Sequence, residues 1–338
     1  MRGLRNVAES LGIRGRARAR RPPPFPNRGR PGKRFPRPWL TVLGLTALLS
    51  LAVASHLIVA SDASPRSAPA TELHYAPNHN FGADGKYLPA QLGFNLADLN
   101  TVEQLEALPP GVKGLVWVGQ CEGVTPAFLQ KVQPFIGHPK LFGFYLMDNP
   151  DPRPSVAEPG GEPPCPPQRL RAESDWIHAN LPGAKTFMIL MNLGTAKEPW
   201  FSPQYAPDVI HLDLYGIDPY PCRTELEGCG YDMIDRYVAQ AGAAGIPRER
   251  MVPVYQVFGN GKYKDDFDGK YILPTAEEER QMMLRWGMLV ASPVFDYAYS
   301  WGSQEEDDAL EGAQKLHPVF AEHNGMERAF KVDFGRQQ

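Results

Sequence analysis

Cysteine is scarce in this chain, four in 338 residues, which excludes a small scaffold held together by disulfides. No Cys-x-x-Cys pair occurs and no His stands at ligand spacing beside a cysteine, so the sequence carries no zinc motif and no metal site is expected. Neither a Gly-x-Gly-x-x-Gly turn nor a phosphate loop follows an apolar run, so a nucleotide cofactor is not expected either. Ser-His-Asp order and internal repeats are also missing, and the eight His are scattered. Only one hydrophobic run is long enough to cross a bilayer, which excludes a polytopic membrane protein. With 43% hydrophobic and 22% charged residues, the chain is too apolar to be disordered throughout.

Charge is unevenly placed. Residues 1–38 hold 12 Lys and Arg against a single acid, Glu9, while the remaining 300 hold 23 basic and 37 acidic residues. A uniformly basic nucleic-acid binder is therefore excluded, and no nucleic-acid partner is expected. The tail is rich in Arg and Pro without apolar periodicity and reads as a disordered cytoplasmic segment. Anionic lipid or a cytoplasmic partner would suit its charge, although a topology signal explains the tail without any partner. Residues 40–60 then run 21 positions without a formal charge, about 31 Å as a helix, one hydrocarbon core. The positive-inside tendency puts the N-terminus in the cytoplasm and the rest outside. The expected organisation is a basic tail over 1–38, a transmembrane signal anchor over 39–61, a stalk over 62–71 and an ectodomain over 72–338. The alternative is a cleaved signal and a secreted product.

All four cysteines, Cys121, Cys165, Cys222 and Cys229, follow the apolar run. An even count on the exported side suits disulfides. Of three pairings, Cys222 with Cys229 closes a short loop, and the strand map below favours Cys121 with Cys165.

The exported part has the size of a (β/α)8 barrel, a TIM barrel of α/β class. Continuous apolar runs, as in strands buried on both faces, predict strands near 93–96, 114–118, 142–147, 186–191, 209–215, 252–257 and 295–300, with residues 72–76 as the candidate first strand. Helices are predicted over 102–108, 126–136, 167–181, 232–243 and 276–290, the last capped by Thr275 with Glu277, Glu278 and Glu279 in its positive first turn. The acids at 305–308 read as a further helix start. On this map Cys121 and Cys165 lie on neighbouring loops at one barrel end. A doubly wound open sheet is the alternative fold.

Chemistry in such barrels sits where strands run into their following loops. The segment 142–152, FGFYLMDNPDP, ends an apolar strand at Asp148, where partial loss of water would raise the carboxyl pKa and suit a general acid. In 211–221, HLDLYGIDPYP, alternation puts His211, Asp213 and Tyr215 on one face, with Asp218 at the strand exit beside Tyr220. Gln256 and the pair Tyr299 and Trp301 end the last two strands, while Asn95 and Trp117 stand on earlier ones. Aromatic rings beside amides and carboxylates are what a sugar ring needs. The loop 262–271, KYKDDFDGKY, lacks a calcium pattern and reads as a solvated turn or lid. The Pro-rich insert 151–166 is expected to cap the rim.

The motifs Gly143-Phe144-Tyr145-Leu146 with Asp148-Asn149-Pro150, then Asp218-Pro219-Tyr220-Pro221, Gln256-Val257-Phe258-Gly259, Pro274-Thr275 with Glu277, Glu278 and Arg280, and Tyr299-Ser300-Trp301 resemble, in the same order, the exported TIM-barrel glycoside-hydrolase-like proteins. Weak support lies upstream at Gly93-Phe94-Asn95. The resemblance implies a barrel that acts on glycans. It departs from the family at Asn149, where an acid/base Glu is usual, and at Gln256, on the usual nucleophile strand; neither amide can exchange a proton or form a glycosyl ester. Hydrolysis would then fall to Asp148 as acid with Asp218 or Asp213 as second carboxylate, and Asn149, Tyr220, Gln256, Tyr299, Trp301, Asn95 and Trp117 would shape the sugar site. The expected function is that of a membrane-anchored extracytoplasmic glycoside hydrolase on an envelope or extracellular glycan. The alternatives are a non-catalytic glycan-binding or envelope-organising protein on the same barrel, and a scaffold bridging cytoplasm and envelope.

Overall fold

A computed structural model describes residues 71–154, 161–226, 228–264 and 269–326. Within it eight parallel strands close into a barrel in chain order: β1 (His74–Tyr75), β2 (Leu96–Leu99), β3 (Lys113–Trp117), β4 (Leu141–Met147), β5 (Lys185–Ile189), β6 (Leu214–Ile217), β7 (Met251–Gln256) and β8 (Asp296–Tyr299), which pairs back onto β1. This closed order excludes the doubly wound alternative. The candidate first strand is present, shortened to two residues.

The helices are α1 (Val102–Glu106), α2 (Pro126–Val132), α3 (Pro167–Asn180), α4 (Pro207–Ile210), α5 (Asp232–Ala243), α6 (Ala276–Leu289) and α7 (His317–His323). Local chemistry sets their starts. Thr275 accepts from the Glu278 backbone while the Glu278 side chain returns to the Thr275 N–H, a reciprocal cap that satisfies two orphan donors. Thr101 and Gln104 do the same for α1, and α2 opens on Pro126 behind the Thr125 cap.

Two apolar layers result. Tyr75, Leu96, Leu115, Tyr145, Phe187, Phe295 and Tyr297 fill the barrel interior, their rings meeting edge-on or tilted at centroid distances such as 4.8 Å for Tyr75 and Tyr297 and 4.7 Å for Tyr145 and Phe187. Phe128, Leu170, Ile177, Met282 and Trp286 pack the helices on the outside. Gly216 belongs to the filling, because a Cβ there would lie 2.2 Å from the Ile189 Cδ1.

Three expected elements differ. The run 209–215 is not one strand: Pro207 starts α4, His211 closes it with φ 56°, and β6 begins at Leu214. The second strand lies three residues later than 93–96, because Gly93 takes φ 82° at the end of a short 3-10 turn. Glu305 and Glu306 have positive φ in a turn rather than opening a helix, and Asp308–Ala309 pairs with Phe258–Gly259. The expected tail, transmembrane segment and stalk up to residue 70 lie outside the described residues, as do Asp266, Asp268 and part of the 151–166 insert. Among the described residues no helix is long and apolar enough to cross a membrane.

At the N-terminal ends of β1 and β8, Asp296 lies between two imidazoles, His74 Nδ1 at 2.9 Å and His323 Nε2 at 2.6 Å. Burial pushes this carboxyl up, but the two His on either side outweigh it and hold it well below the ordinary range. The group fastens α7 to the closing pair of strands. Both disulfides form, Cys121 to Cys165 with Cα atoms 5.5 Å apart and Cys222 to Cys229 at 3.9 Å.

Candidate active site

At the opposite end, where the strands exit, a cavity of about 240 Å³ opens among β1, β2, β3, β4 and β8. Two carboxylates line it, Asp98 and Asp148, and each accepts a tyrosine hydroxyl from within the barrel. Tyr75 donates to Asp98 at 3.1 Å and Tyr145 to Asp148 at 3.0 Å. Trp117, Tyr297 and Tyr299 supply aromatic wall, and Asn78, Asn100 and Gln304 supply polar rim. Trp117 owes its placement to Gly119, at φ 66°, where a Cβ would meet the indole at 2.4 Å.

Asp148 keeps contact with solvent, yet its other sides face protein. Burial therefore pushes its carboxyl up, and the Tyr145 hydroxyl only partly opposes this. Asp98 is also pushed up by burial, against downward pulls from the Tyr75 hydroxyl, the Asn78 N–H and the Lys131 charge. Asp218 is raised most, by burial first and then by the charge of Asp148, although Asn149 and Tyr220 hydrogen-bond to it. Asn149, held at φ 47° directly after β4, also donates from Nδ2 to Asp148 at 3.2 Å, so one carboxamide touches both acids. None of the described residues lining the cavity is Lys, Arg or His. Lys131 is directed elsewhere, its ammonium donating to the Val118 carbonyl at 3.0 Å.

The expected site residues divide. Asp148, Trp117 and Tyr299 line the cavity. Asn149, Asp218 and Tyr220 stand beside it, with Tyr220 packed on Phe258, Tyr271 and Tyr299. Gln256 does not reach a ligand: fully buried, it accepts from the Cys222 N–H at 2.8 Å and donates to the carbonyls of Cys222 and Ile272. It anchors the Cys222 to Cys229 loop to the end of β7. Trp301 has no exposed surface and is not among the lining residues.

Asp213 and Asn95 are corrections of a different kind, for both precede their strands and sit at the N-terminal end, away from the cavity. Asp213 accepts from the Thr186 N–H at 3.0 Å and from His178 at 2.9 Å. These partners and Lys185 outweigh its burial and keep its carboxyl below the ordinary range, unlike a general acid. His211 does not share a strand face with it, but bonds Asp175 at 2.6 Å. Asn95 spends its amide on the His74 N–H and the Glu72 carbonyl.

Asp98, Tyr75, Tyr145 and Tyr297 were not expected. Asp98 had a readable signal, a lone charge in the apolar run Leu96-Ala97-Asp98-Leu99 and two residues from inward Leu96, but placing the second strand at 93–96 put it in a loop. For a metal, the described residues offer His74, Asp296 and His323, with ligand atoms within 4.8 Å of one another. Both Asp296 oxygens there already accept ring nitrogens, and the group reads as the staple described above.

No family model matches the chain, and no curated protein matches it. Solved structures similar to it include a GH18 chitinase from Flavobacterium johnsoniae, 10% identical, covering 76% of this chain and 94% of that one at a TM-score of 0.45. A chitinase-like agglutinin from Robinia pseudoacacia is also 10% identical, covering 75% and 99% at 0.44. A putative alpha-L-fucosidase from Bacteroides thetaiotaomicron is 10% identical, covering 77% and 96% at 0.46. The barrel assignment rests on the strand order above, and the residue roles rest on the cavity.

The loop that carries the site's β3 wall is anchored by a buried acid. Glu173 of α3 accepts from the Gly123 N–H at 2.9 Å, beside the Cys121 to Cys165 bridge. Burial pushes its carboxyl from 4.5 up to about 7, against the Gly123 and Glu122 N–H groups. Between those two values the folded state binds more protons than the unfolded one, so this group's contribution declines as pH rises through that window. Glu173→Gln is expected to remove that decline, leaving the variant up to ~3 kcal/mol more stable than the parent above the window. Urea unfolding across the window tests this, and parallel pH slopes for parent and variant would contradict it.

Proposed function

We propose that this barrel binds a glycan at its acidic, aromatic mouth and hydrolyses it there, with Asp148 as general acid. The carrying observation is that Asp98 and Asp148 share one cavity, each held by a tyrosine hydroxyl and raised in proton affinity by burial, between rings able to stack on a sugar. A carboxyl of raised proton affinity can pass its proton to a leaving glycosidic oxygen, and a second carboxylate can activate water or meet the cation that forms. Asp98 replaces Asp213 as the candidate second carboxylate because it lines the same cavity. Asp218 stands against Asp148, whose charge raises the proton affinity of Asp218 further.

A non-catalytic glycan-binding role is the second reading, favoured by two amides. Asn149 stands where the resembled family places its acid/base Glu, and Gln256 is consumed by backbone contacts. The purified full chain is expected to release reducing ends from an envelope or extracellular polysaccharide. Asp148→Asn is expected to lose at least a hundredfold in rate at unchanged folding, the range of a positioned proton donor. Saturable binding without release from any polysaccharide would instead establish the second reading.

We also propose that the barrel lies outside the cytoplasm, tethered by residues 39–61. Support comes from the two disulfides, which use every cysteine of the chain and suit an oxidising compartment. Protease added to intact cells, with the outer envelope made permeable where there is one, is expected to degrade the barrel and spare an N-terminal tag. Protection of both ends would contradict this topology.

A further inference from the structure

The mouth is built for a ligand of one charge. Asp98 and Asp148 face the cavity, Asp218 stands against Asp148, and no described lining residue carries a positive charge. Each carboxyl has its proton affinity raised because burial outweighs what the neighbours return: Lys131 pulls Asp98 only partly back, and no cation acts among the causes at Asp148 or Asp218. Lys131, which acts on Asp98, is committed to the Val118 carbonyl. The remaining partners of the two lining acids are neutral, namely the tyrosine hydroxyls, the Asn78 N–H and the Asn149 amide. An acidic sugar entering this space would meet like charge in a low-dielectric setting, whereas a cation would relieve it. Trp117 and Tyr299 add ring faces that attract a cation as well as stack on a pyranose.

Resting on the glycan reading above, we propose that the ligand is an amino-sugar polymer with free, protonated amines, a polysaccharide of hexosamine units lacking their N-acyl groups. One ammonium would lie between Asp98 and Asp148. Acylation removes that charge and adds bulk, and a uronic acid reverses it.

The test compares three oligosaccharide probes of matched length on the full chain by calorimetry: a fully deacetylated glucosamine oligomer, its N-acetylated counterpart, and an oligogalacturonide. At about pH 6 a sugar amine, which titrates near neutrality like an α-amino group (~7.7), carries its proton. There the deacetylated oligomer is expected to bind at least tenfold tighter than the acetylated one, with no detectable uronide binding. The preference is expected to shrink at about pH 9 and in high salt, where the amine is neutral or screened. Asp98→Asn and Asp148→Asn are each expected to lower it several-fold, and the parent comparison decides the matter even if a variant fails to fold. Equal or tighter binding of the acetylated oligomer would overturn the amine inference and leave the glycan reading standing. Failure of every probe and of a wider polysaccharide panel would overturn both.

Discussion

Desolvation of carboxylates at the top of an aromatic barrel is the constraint that shapes this molecule. A closed eight-stranded sheet has a fixed interior, and here it is filled by Tyr75, Tyr145, Phe187, Phe295 and Tyr297. Tyr75, Tyr145 and Tyr297 also line the mouth, so burial acts on Asp98 and Asp148 although Asp148 keeps exposed surface. Their nearest polar neighbours are the hydroxyl ends of the same rings. One set of side chains thus packs the core and orients the acids, while burial raises their proton affinity against the partial pull of the hydroxyls. Tyr297 shows the coupling, since its own hydroxyl is pushed up by burial first and then by the charges of Asp148, Asp98 and Asp218.

The loops around the mouth are fixed by independent ties. Cys121 to Cys165 joins the segment after β3 to the start of α3, with Glu173 reinforcing it from the helix. Cys222 to Cys229 closes the segment after β6, and Gln256 binds it to the end of β7. Site and stability separate along the barrel axis. Raised acids gather where the strands exit, while Asp296 and Asp213, both held ionised by His, serve the other end.

Much of this was legible in the sequence, because parallel strands buried on both faces leave continuous apolar runs. Those runs located β3, β4, β5, β7 and β8 within a residue or two, and Thr275 marked α6. What escaped has physical causes. A four-residue helix and a left-handed His211 hid inside the apolar stretch 209–215, which moved Asp213 from the expected strand face to the strand's base. Short β2 gave too little pattern to fix its start, and a shift of three residues concealed Asp98. Gln256 keeps its inward position in the alternation, but its side chain turns to backbone partners, which spacing alone does not reveal.

The acid chemistry and the amine preference depend on carboxyls raised by burial at the mouth, and carboxyl titration measures that directly. In the full chain labelled with carboxyl carbon-13 in Asp, NMR is expected to show the resonances of Asp98, Asp148 and Asp218 titrating above the ordinary Asp value of ~3.9. One should vanish in each of Asp98→Asn, Asp148→Asn and Asp218→Asn. If all three titrate at or below the ordinary value, the mouth is solvated or already neutralised, and the proposed acid chemistry and amine preference lose their physical basis.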